Sequence, residues 1–427
     1  MYQHWLMFSL ASVGWLSADG ECDVSDYATA YKDLYKSLDL DKNYIQMVNL
    51  RPVPSSHTYT SVYVGLYVSS ITNVNEKEQS FSTQVRIYTV WTDDSFSWSY
   101  DDYCGMRTLS ARKDQIWTPY LGITESIKTE YATMESQYAL MIYDGDVLLL
   151  DALSLTTACI MDLYRFPFDI QSCNITLQSS VLSSQELRIK PLSDEQEFTD
   201  VSKQSFKTQG EWELLSVNYS RGYSYVFGHE FSKLIFKVTI KRRPLLYVIN
   251  FMLPVFYFLV LDVASFFMDA SGADKLSFKV TLLLSISVLL LILNDTLPST
   301  ASEIPLIGVY CSVIFTFIGI SILETMLVDF LMTRGAETRS AGPVETTAAI
   351  TGQDDVPIFL IDGVRDSRVI DGNVEQSRTL NSLKTPLCWT RVAKIIDVTF
   401  RVLYIITIIV FLSMLGKVWY SDRYPPL

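Results

Sequence analysis

Apolar positions divide the chain into a half with a period of two and a half with long apolar runs. From about Val48, apolar and polar residues alternate through the stretches SVYVGLYV, STQVRIYTVW, QYALMIY, DVLLLDALSL, GEWELLSV and FSKLIFKVTI. Alternation of this kind, interrupted by turn residues, predicts strands that each bury one face. The first half therefore predicts an antiparallel β-sandwich.

The second half contains four apolar runs that predict membrane-spanning helices. They extend from Leu245 to Phe267 with a break at Pro254, then over residues 276–293, 306–328 and 402–418. Each run falls within the ~17–25 residues that a helix needs to cross a bilayer. The predicted fold class is an α+β membrane protein, with a four-helix transmembrane bundle after the sandwich.

The N-terminus predicts a secretory signal peptide over residues 1–20. Its apolar run, from Trp5 to Leu16, precedes the small residues of an Ala18–Gly20 cleavage site. A first transmembrane helix is the alternative, although the run is short for a span. Secretion makes residues 21–243 extracellular, and four crossings return residues 421–427 to the outside.

Between the third and fourth spans the sequence predicts an intracellular loop. The transmembrane part divides into helices 1–3 over residues 244–331, a loop over 332–397 and helix 4 over 398–420. The stretch TRGAETRSAGPVETTAAITGQDDV is polar and predicts disorder, whereas TRVAKIIDVTFRV predicts an amphipathic helix that enters the fourth span. Arg391, Lys394 and Arg401 in that helix are interpreted as orienting charges, with a cytoplasmic ion exit path as the alternative.

The second span carries a polar stripe on one predicted helical face. Spacings of 3 and 4 along the helix join Asp274, Ser277, Thr281, Leu284, Val288, Leu291 and Asp295. Polar groups are costly against lipid, but around a symmetry axis each position becomes a ring that lines a pore. Acidic rings attract cations and an apolar ring gates by dewetting. The alternative is a buried helix in a monomeric bundle, with the hydroxyls bonded to their own turn.

Composition narrows the remaining function classes. The formal net charge of −13 argues against a nucleic-acid role and is compatible with attracting cations or simply with solubility. The sequence has no HExxH motif, phosphate-binding glycine loop or serine nucleophile elbow, so we expect no enzyme activity, cofactor or metal centre. A cell-surface binding or adhesion protein is the rival class, although it needs only one anchoring helix.

Cysteines and sequons agree with an oxidising, extracellular first half. Four of the six cysteines precede the first apolar run, and the hypothesis is that Cys22 pairs with Cys104. Asn174 and Asn218 begin glycosylation sequons.

The most specific motif is Cys159-IMDLYRFPFDIQS-Cys173, which encloses thirteen residues. It resembles the signature loop of the Cys-loop family of pentameric ligand-gated ion channels. The segments GEWELL, KRRPLLYV, LSFKVTLLL, NDTLP and IPLIGVY are similar to those of type-3 serotonin receptor subunits. The resemblance implies a pentamer of identical or related subunits, a Cys159–Cys173 disulfide, an extracellular small-molecule agonist and monovalent cations in the pore.

The resemblance also implies residues that couple agonist binding to the gate. They are Phe166, Pro167, Phe168, Asp169, Arg243, Pro298 and Pro305. Before the pore helix, Ser271-Gly272-Ala273-Asp274 is one residue longer than in cation-conducting members, yet it keeps the acid. Val288 stands where anion channels tend to have threonine, so the resemblance implies cation selectivity.

In this family the agonist lies between subunits in an aromatic box that attracts an ammonium. The resemblance matches Glu125 to an acidic residue of this site, and the candidates around it are Tyr88, Arg86, Ser180, Tyr223, Tyr225 and Phe231. Tyr88 and Tyr225 either line a modified pocket or are ordinary strand aromatics. Ser180 and Arg86 occupy positions where serotonin receptors have tryptophan, which weakens an amine site. The agonist stays open among serotonin, another small molecule, zinc and protons, and an accessory subunit is a further alternative. Only His57 and His229 are extracellular histidines, so a zinc site would use carboxylates.

Overall fold

The computed structural model describes residues 22, 24–40, 50–53, 58–132, 137–207, 210–268, 272–296, 304–340 and 389–421. The predicted signal peptide, Pro298, most of the predicted intracellular loop and the last six residues lie outside this part of the chain. Contacts between Cα atoms divide the chain into two compact units. One comprises residues up to Phe256 with Val288–Ser312, and the other Tyr257–Ser287 with Val313–Leu427.

Between residues 22 and 243, the described part of the first unit contains two α-helices and eleven strands. Helix α1 covers Val24–Ser37 and helix α2 covers Glu195–Ser205. The strands are β1 Thr60–Asn75, β2 Ser80–Ser97, β3 Thr108–Arg112, β4 Leu121–Ile123, β5 Ser126–Tyr131, β6 Tyr138–Ile142, β7 Asp144–Ala158, β8 Ile170–Ser179, β9 Leu187–Pro191, β10 Trp212–Val226 and β11 His229–Arg242. Each of the six alternating stretches of the sequence overlaps a strand.

The strands form two sheets. The larger has the order β3-β6-β7-β2-β1-β9 with β5 added beside β7, and the smaller has the order β10-β11-β8-β4. Pairing is antiparallel except between β1 and β9, which run parallel. The prediction of an antiparallel sandwich is confirmed, with that one parallel pair as its exception.

Helix α2 contributes an aromatic side chain to the sandwich core. Asp194 caps the helix, since its side chain accepts a hydrogen bond from the Glu197 amide at 2.8 Å. This start turns Phe198 inward, where it is fully buried. Its ring centroid lies 5.4 Å from those of Tyr67 on β1 and Phe236 on β11, so the helix joins both sheets.

Four long helices follow, each long and apolar enough to cross a membrane. Helix α3 covers Leu245–Ser265, α4 Gly272–Thr296, α5 Leu306–Ser340 and α6 Trp389–Ser421. The predicted amphipathic segment and the fourth span are one continuous helix, α6. Helix α3 widens to a π turn at Val248–Met252, because Pro254 has no N–H to donate to the carbonyl four residues earlier.

Within the part of the chain that the structure describes, two disulfides lie in the first unit. Cys159 pairs with Cys173, as the family resemblance implies, and Cys22 pairs with Cys104, as hypothesised from the sequence. The second bond joins the segment before α1 to the end of a short 3₁₀ helix at Tyr100–Tyr103.

Candidate functional site

The predicted pore face of α4 is exposed within a single subunit. All seven stripe positions, from Asp274 to Asp295, are exposed. Leu284, Val288 and Leu291 have exposed fractions of 66%, 52% and 65%, which are high for large apolar side chains. A helix that only filled a monomeric bundle would bury these residues. The side chains of the stripe are therefore available to contact either lipid or other subunits.

The opposite face of α4 is buried. Leu282, Ile286 and Leu293 have exposed fractions of 5% or less, although the helix is apolar on both faces. Among the hydroxyls of the stripe, Thr281 donates to the carbonyl of Ser277 at 2.9 Å. The Thr281 oxygen can still accept a second contact, because a hydroxyl both donates and accepts.

Five of the predicted agonist residues belong to the smaller sheet or its loops. Glu125 follows β4, Ser180 follows β8, and the other three lie on the β10–β11 hairpin. The Glu125 carboxylate accepts from the backbone amide and the hydroxyl of Thr176 at 2.7 and 2.5 Å. Glu125 thus holds β4 beside β8, a structural role in addition to any contact with a ligand.

The β10–β11 hairpin presents exposed aromatic rings. Tyr223 and Tyr225 are 52% and 75% exposed, and Phe227 at the tip is 99% exposed. The Tyr225 hydroxyl donates to Glu230 on the facing strand at 2.8 Å. That hydrogen bond and the charge of Glu230 raise the pKa of Tyr225. Glu230 also accepts from Ser184 at 3.0 Å, so the hairpin is tied to the segment after β8.

The other two agonist residues lie on the larger sheet. Arg86 and Tyr88 both occupy β2, where Arg86 is exposed and Tyr88 is half-buried against the Tyr67 ring at 5.5 Å. The candidates thus form two groups on two different sheets of one subunit. Within the described part of the chain, no three His, Cys, Asp or Glu side chains are grouped to hold a metal ion.

A buried charge cluster lies where β11 meets the first span. Arg242 is 1% exposed, and its Nε and Nη2 atoms lie 2.8 and 3.3 Å from the oxygens of Asp169. The same Nη2 donates to Glu76 at 2.6 Å. Burial opposes the charged form, but the hydrogen bonds and charges of Asp169 and Glu76 outweigh it and raise the pKa of Arg242.

Aromatic rings enclose the Arg242 guanidinium. Its central carbon lies 4.2 Å from the Trp212 ring centroid, 4.7 Å from that of Phe166 and 5.5 Å from that of Tyr247. Sequence reasoning chose the neighbouring Arg243, which is exposed and whose amide donates to the Glu211 carbonyl. It missed both Arg242 and Glu76. The available signal was only that a basic and an acidic residue occur in two segments that are far apart in sequence.

The disulfide loop contacts the beginning of two long helices within the first unit. The Phe166 ring packs edge-on against Tyr247 of α3, with centroids 4.9 Å apart. The Tyr164 carbonyl accepts from the Leu306 amide of α5 at 2.8 Å, directly after the buried Pro305. Pro167 follows Phe166 through a cis peptide bond, and Phe168 donates its amide to Arg165.

Two family profiles match most of the described chain. Residues 33–244 match the neurotransmitter-gated ion-channel ligand binding domain, and residues 251–356 match the neurotransmitter-gated ion-channel transmembrane region. The chain belongs to the neurotransmitter-gated ion-channel family. As a member of this family of ligand-gated channels, it is a multi-pass membrane protein and not an enzyme.

Curated relatives of this neurotransmitter-gated channel subunit include serotonin and acetylcholine receptor subunits. The chain is 35% identical to 5-hydroxytryptamine receptor 3A of Mus musculus over 280 residues, which are 65% of this chain and 57% of the relative. It is 30% identical to 5-hydroxytryptamine receptor 3E of Homo sapiens over 66% of this chain and 61% of the relative. It is 28% identical to neuronal acetylcholine receptor subunit beta-3 of Homo sapiens over 68% of this chain and 62% of the relative. The chain therefore spans about three-fifths of the length of these relatives.

The remaining site predictions concern glycosylation of this channel subunit. Asn174 on β8 and Asn218 on β10 have exposed side chains at positions that are free of the core. Attachment of a glycan at either residue stays a prediction.

Proposed function

We propose that this chain is a subunit of a pentameric, extracellular-ligand-gated cation channel of the serotonin type-3 kind. The supporting observation is the exposed stripe of α4, where acids at both ends flank hydroxyl and apolar positions. In a five-fold ring these exposed side chains would meet around the axis, and the buried Leu282 and Ile286 would face their own subunit. Exposed apolar residues at regular spacing on one face mark a surface that needs partners.

The rings supply selectivity and a gate. Carboxylates of Asp274 and Asp295 concentrate cations and repel anions at the two mouths. Oxygens of Ser277 and Thr281 replace part of the hydration shell of a passing ion. Leu284 and Val288 form a dry constriction, since an apolar ring excludes water when it is narrow.

The agonist site lies between neighbouring subunits in this proposal. The residues of the smaller sheet and its hairpin form one wall, and Arg86 and Tyr88 of the next subunit form the other. Their division between two sheets supports such a site, because one subunit then offers each group to a different neighbour.

Coupling runs from the disulfide loop to the helices. Agonist binding shifts the hairpin and thus β11, whose last residue is Arg242. Its buried pair with Asp169 carries the shift to the disulfide loop. The contacts of that loop with Tyr247 and Leu306 then reach α3 and α5. Phe168, Arg243, Pro298 and Pro305 are the further coupling residues that the family resemblance proposes.

A second candidate is an accessory subunit that contributes the pore but no amine site. Arg86 and Ser180 favour it, because a cation and a small hydroxyl replace two aromatic faces that would attract an ammonium. Gating by zinc, protons or another small molecule also fits these substitutions. In each case we place the subunit in the plasma membrane of a responding cell, such as a postsynaptic one, with both termini outside.

Two-electrode voltage clamp of oocytes that express this chain alone tests the proposal. Serotonin, acetylcholine, zinc and acid are applied in turn, with surface expression measured by biotinylation. A current to one of them names the ligand of a homomer. Surface expression without any evoked current, followed by an altered current on co-expression with a 5-hydroxytryptamine receptor 3A subunit, favours the accessory role. Surface protein that alters no current in either setting favours an adhesion or binding protein and contradicts the channel proposal.

A further inference from the structure

The second unit contains a polar cavity at the membrane boundary. Its volume is about 140 Å³, and its charged lining consists of Lys275, Lys279, Glu324, Asp329 and Asp397. The cavity lies at Ser265 and Gly272, where one candidate span ends and the next begins, and at Asp329 and Met332 near the end of the third span. This is the level at which lipid headgroups meet a helical bundle.

The charged groups at the inner wall of the cavity already have hydrogen-bond partners within the protein. Lys279 donates to the carbonyl and hydroxyl of Ser321 at 3.2 and 3.1 Å, and its ammonium lies 3.9 Å from Asp262. Hydroxyls of Ser321 and Tyr404 both donate to Asp262. These bonds fix Lys279 and Asp262 in the bundle, so neither needs a ligand.

Glu324 differs from this wall because it lacks a partner for one oxygen. Its side chain lines the cavity and the residue is only 7% exposed. Its Oε1 atom has no hydrogen-bond partner in the described part of the chain, and the contact of Oε2 with Thr325 is long at 3.5 Å. A buried carboxylate oxygen without a donor is strongly unfavourable. A guest in the cavity that donates N–H or O–H groups would satisfy this carboxylate.

The other charges at the cavity indicate a guest with both signs. Arg401 forms an ion pair with Asp397, with Nη2 2.7 Å from Oδ2. The Asp329 carboxylate lies against Gly272 at the start of α4, where any other residue would have its Cβ atom. Lys275, near the start of α4, also lines the cavity. A primary ammonium linked to a phosphate supplies both groups. The ammonium is a donor cation for Glu324, and the phosphate is an anion for Lys275.

We propose that this cavity binds the headgroup of an aminophospholipid, phosphatidylethanolamine. Its ammonium pairs with the Glu324 carboxylate, and its phosphate lies at the mouth beside Lys275. The volume equals about five water molecules at ~30 Å³ each, which suits the ethanolamine arm but leaves the phosphate outside. Phosphatidylcholine carries the same charges, but its trimethylammonium group has no N–H and leaves the oxygen unpartnered.

A methylation series on the unmodified full-length chain tests the proposal. The purified protein is placed in nanodiscs with phosphatidylethanolamine, its mono- and dimethyl derivatives, or phosphatidylcholine, and bound lipid is counted by native mass spectrometry. The two derivatives keep at least one N–H, so we expect them to bind like the parent. Phosphatidylcholine should bind roughly tenfold more weakly, because a charge-assisted hydrogen bond is lost.

Several outcomes overturn the proposal. Equal binding of phosphatidylethanolamine and phosphatidylcholine shows that water alone satisfies Glu324. If nanodiscs with phosphatidylglycerol show tighter binding than those with phosphatidylethanolamine, the site recognises only the anionic part of a headgroup. Displacement of the lipid by soluble phosphoethanolamine at equal concentration assigns the site to a soluble ligand.

Variants identify the residues. Glu324→Gln should abolish the preference for phosphatidylethanolamine, whereas Asp295→Asn, at the opposite end of α4 from Lys275, should preserve it. Lys275→Gln should weaken both lipids equally and leave their ratio unchanged. If Glu324→Gln retains the full preference, Glu324 is not the recognition residue. If that variant fails to assemble, the methylation series on the unmodified chain decides alone.

Discussion

Arg242 and Asp169 form a buried ion pair, with Nε 2.8 Å from Oδ1 and side-chain exposures of 0% and 1%. The pair joins the last residue of β11 to the disulfide loop, across 73 positions of sequence. A buried pair of this kind is costly to form but strongly destabilising to break, because removal of one partner leaves the other charge in an apolar site. Its position directly before the first span makes it the link on which the proposed coupling depends.

Arg242→Gln should uncouple binding from gating or prevent assembly. Loss of one partner of a buried pair costs about 3–5 kcal/mol, and here both Asp169 and Glu76 lose their counter-charge. We expect reduced surface protein in biotinylation and, for the protein that reaches the surface, no ligand-evoked current. Lys241→Gln is the matched control, because it removes the adjacent exposed cation of β11, to which no coupling role is assigned. A normal ligand-evoked current in Arg242→Gln would show that Arg242 does not couple binding to gating.

Leu284→Ser should open the channel without a ligand. A hydroxyl at the proposed constriction hydrates it and removes the dewetting barrier. Voltage clamp should record a standing current that the unmodified chain lacks. Ile286→Ser, on the buried face of the same helix, should lower surface expression and produce no such current. A surface-expressed Leu284→Ser protein with unchanged conductance would show that Leu284 is not the gate.

Arg86→Trp combined with Ser180→Trp should restore attraction for amines. Each substitution adds an aromatic face at a proposed wall of the agonist site, and a cation–π contact adds about 0.5–2 kcal/mol. We expect the double variant to respond to serotonin at roughly tenfold lower concentration than the unmodified chain, or to gain a response. Tyr138→Trp, an exposed tyrosine on β6, is the control for added aromatic surface. An equal gain from that control would disprove a specific site.

Asp146→Asn should stabilise the fold at neutral pH and not at acidic pH. Burial raises the pKa of Asp146, and the charge of Asp144 adds to it, against the hydrogen bond from Thr92. A carboxyl with a raised folded pKa contributes most below its unfolded pKa, and this contribution is lost as pH rises through the folded value. The amide keeps an acceptor for Thr92 without the charge.

The check on Asp146→Asn is thermal unfolding of the full-length protein at about pH 7.5 and about pH 4. We expect a higher Tm for the variant at the first pH and little difference at the second. Asp94→Asn, an exposed acid near the end of β2, should shift neither value. A larger gain at acidic pH would contradict the sign.

Much of the fold followed from local patterns in the sequence. Alternation located the strands and apolar length located the spans, because each pattern reflects what one element buries. The stripe of α4 followed from spacing alone, and the structure exposes all seven of its positions.

Partners distant in sequence could not be predicted in this way. Glu76 and Arg242 meet across 166 positions, and nothing local distinguishes Arg242 from Arg243. The unpartnered oxygen of Glu324 depends on the packing of four helices, which a single sequence does not specify.

The measurement that tests the central claim most directly is the reversal potential of the standing current in Leu284→Ser, before and after dilution of external NaCl. It needs no knowledge of the ligand. A cation pore bounded by Asp274 and Asp295 predicts a negative shift on dilution, which Asp274→Ala should reduce. A positive shift would make the pore anion-selective, and no shift would contradict a selective pore lined by this face of α4.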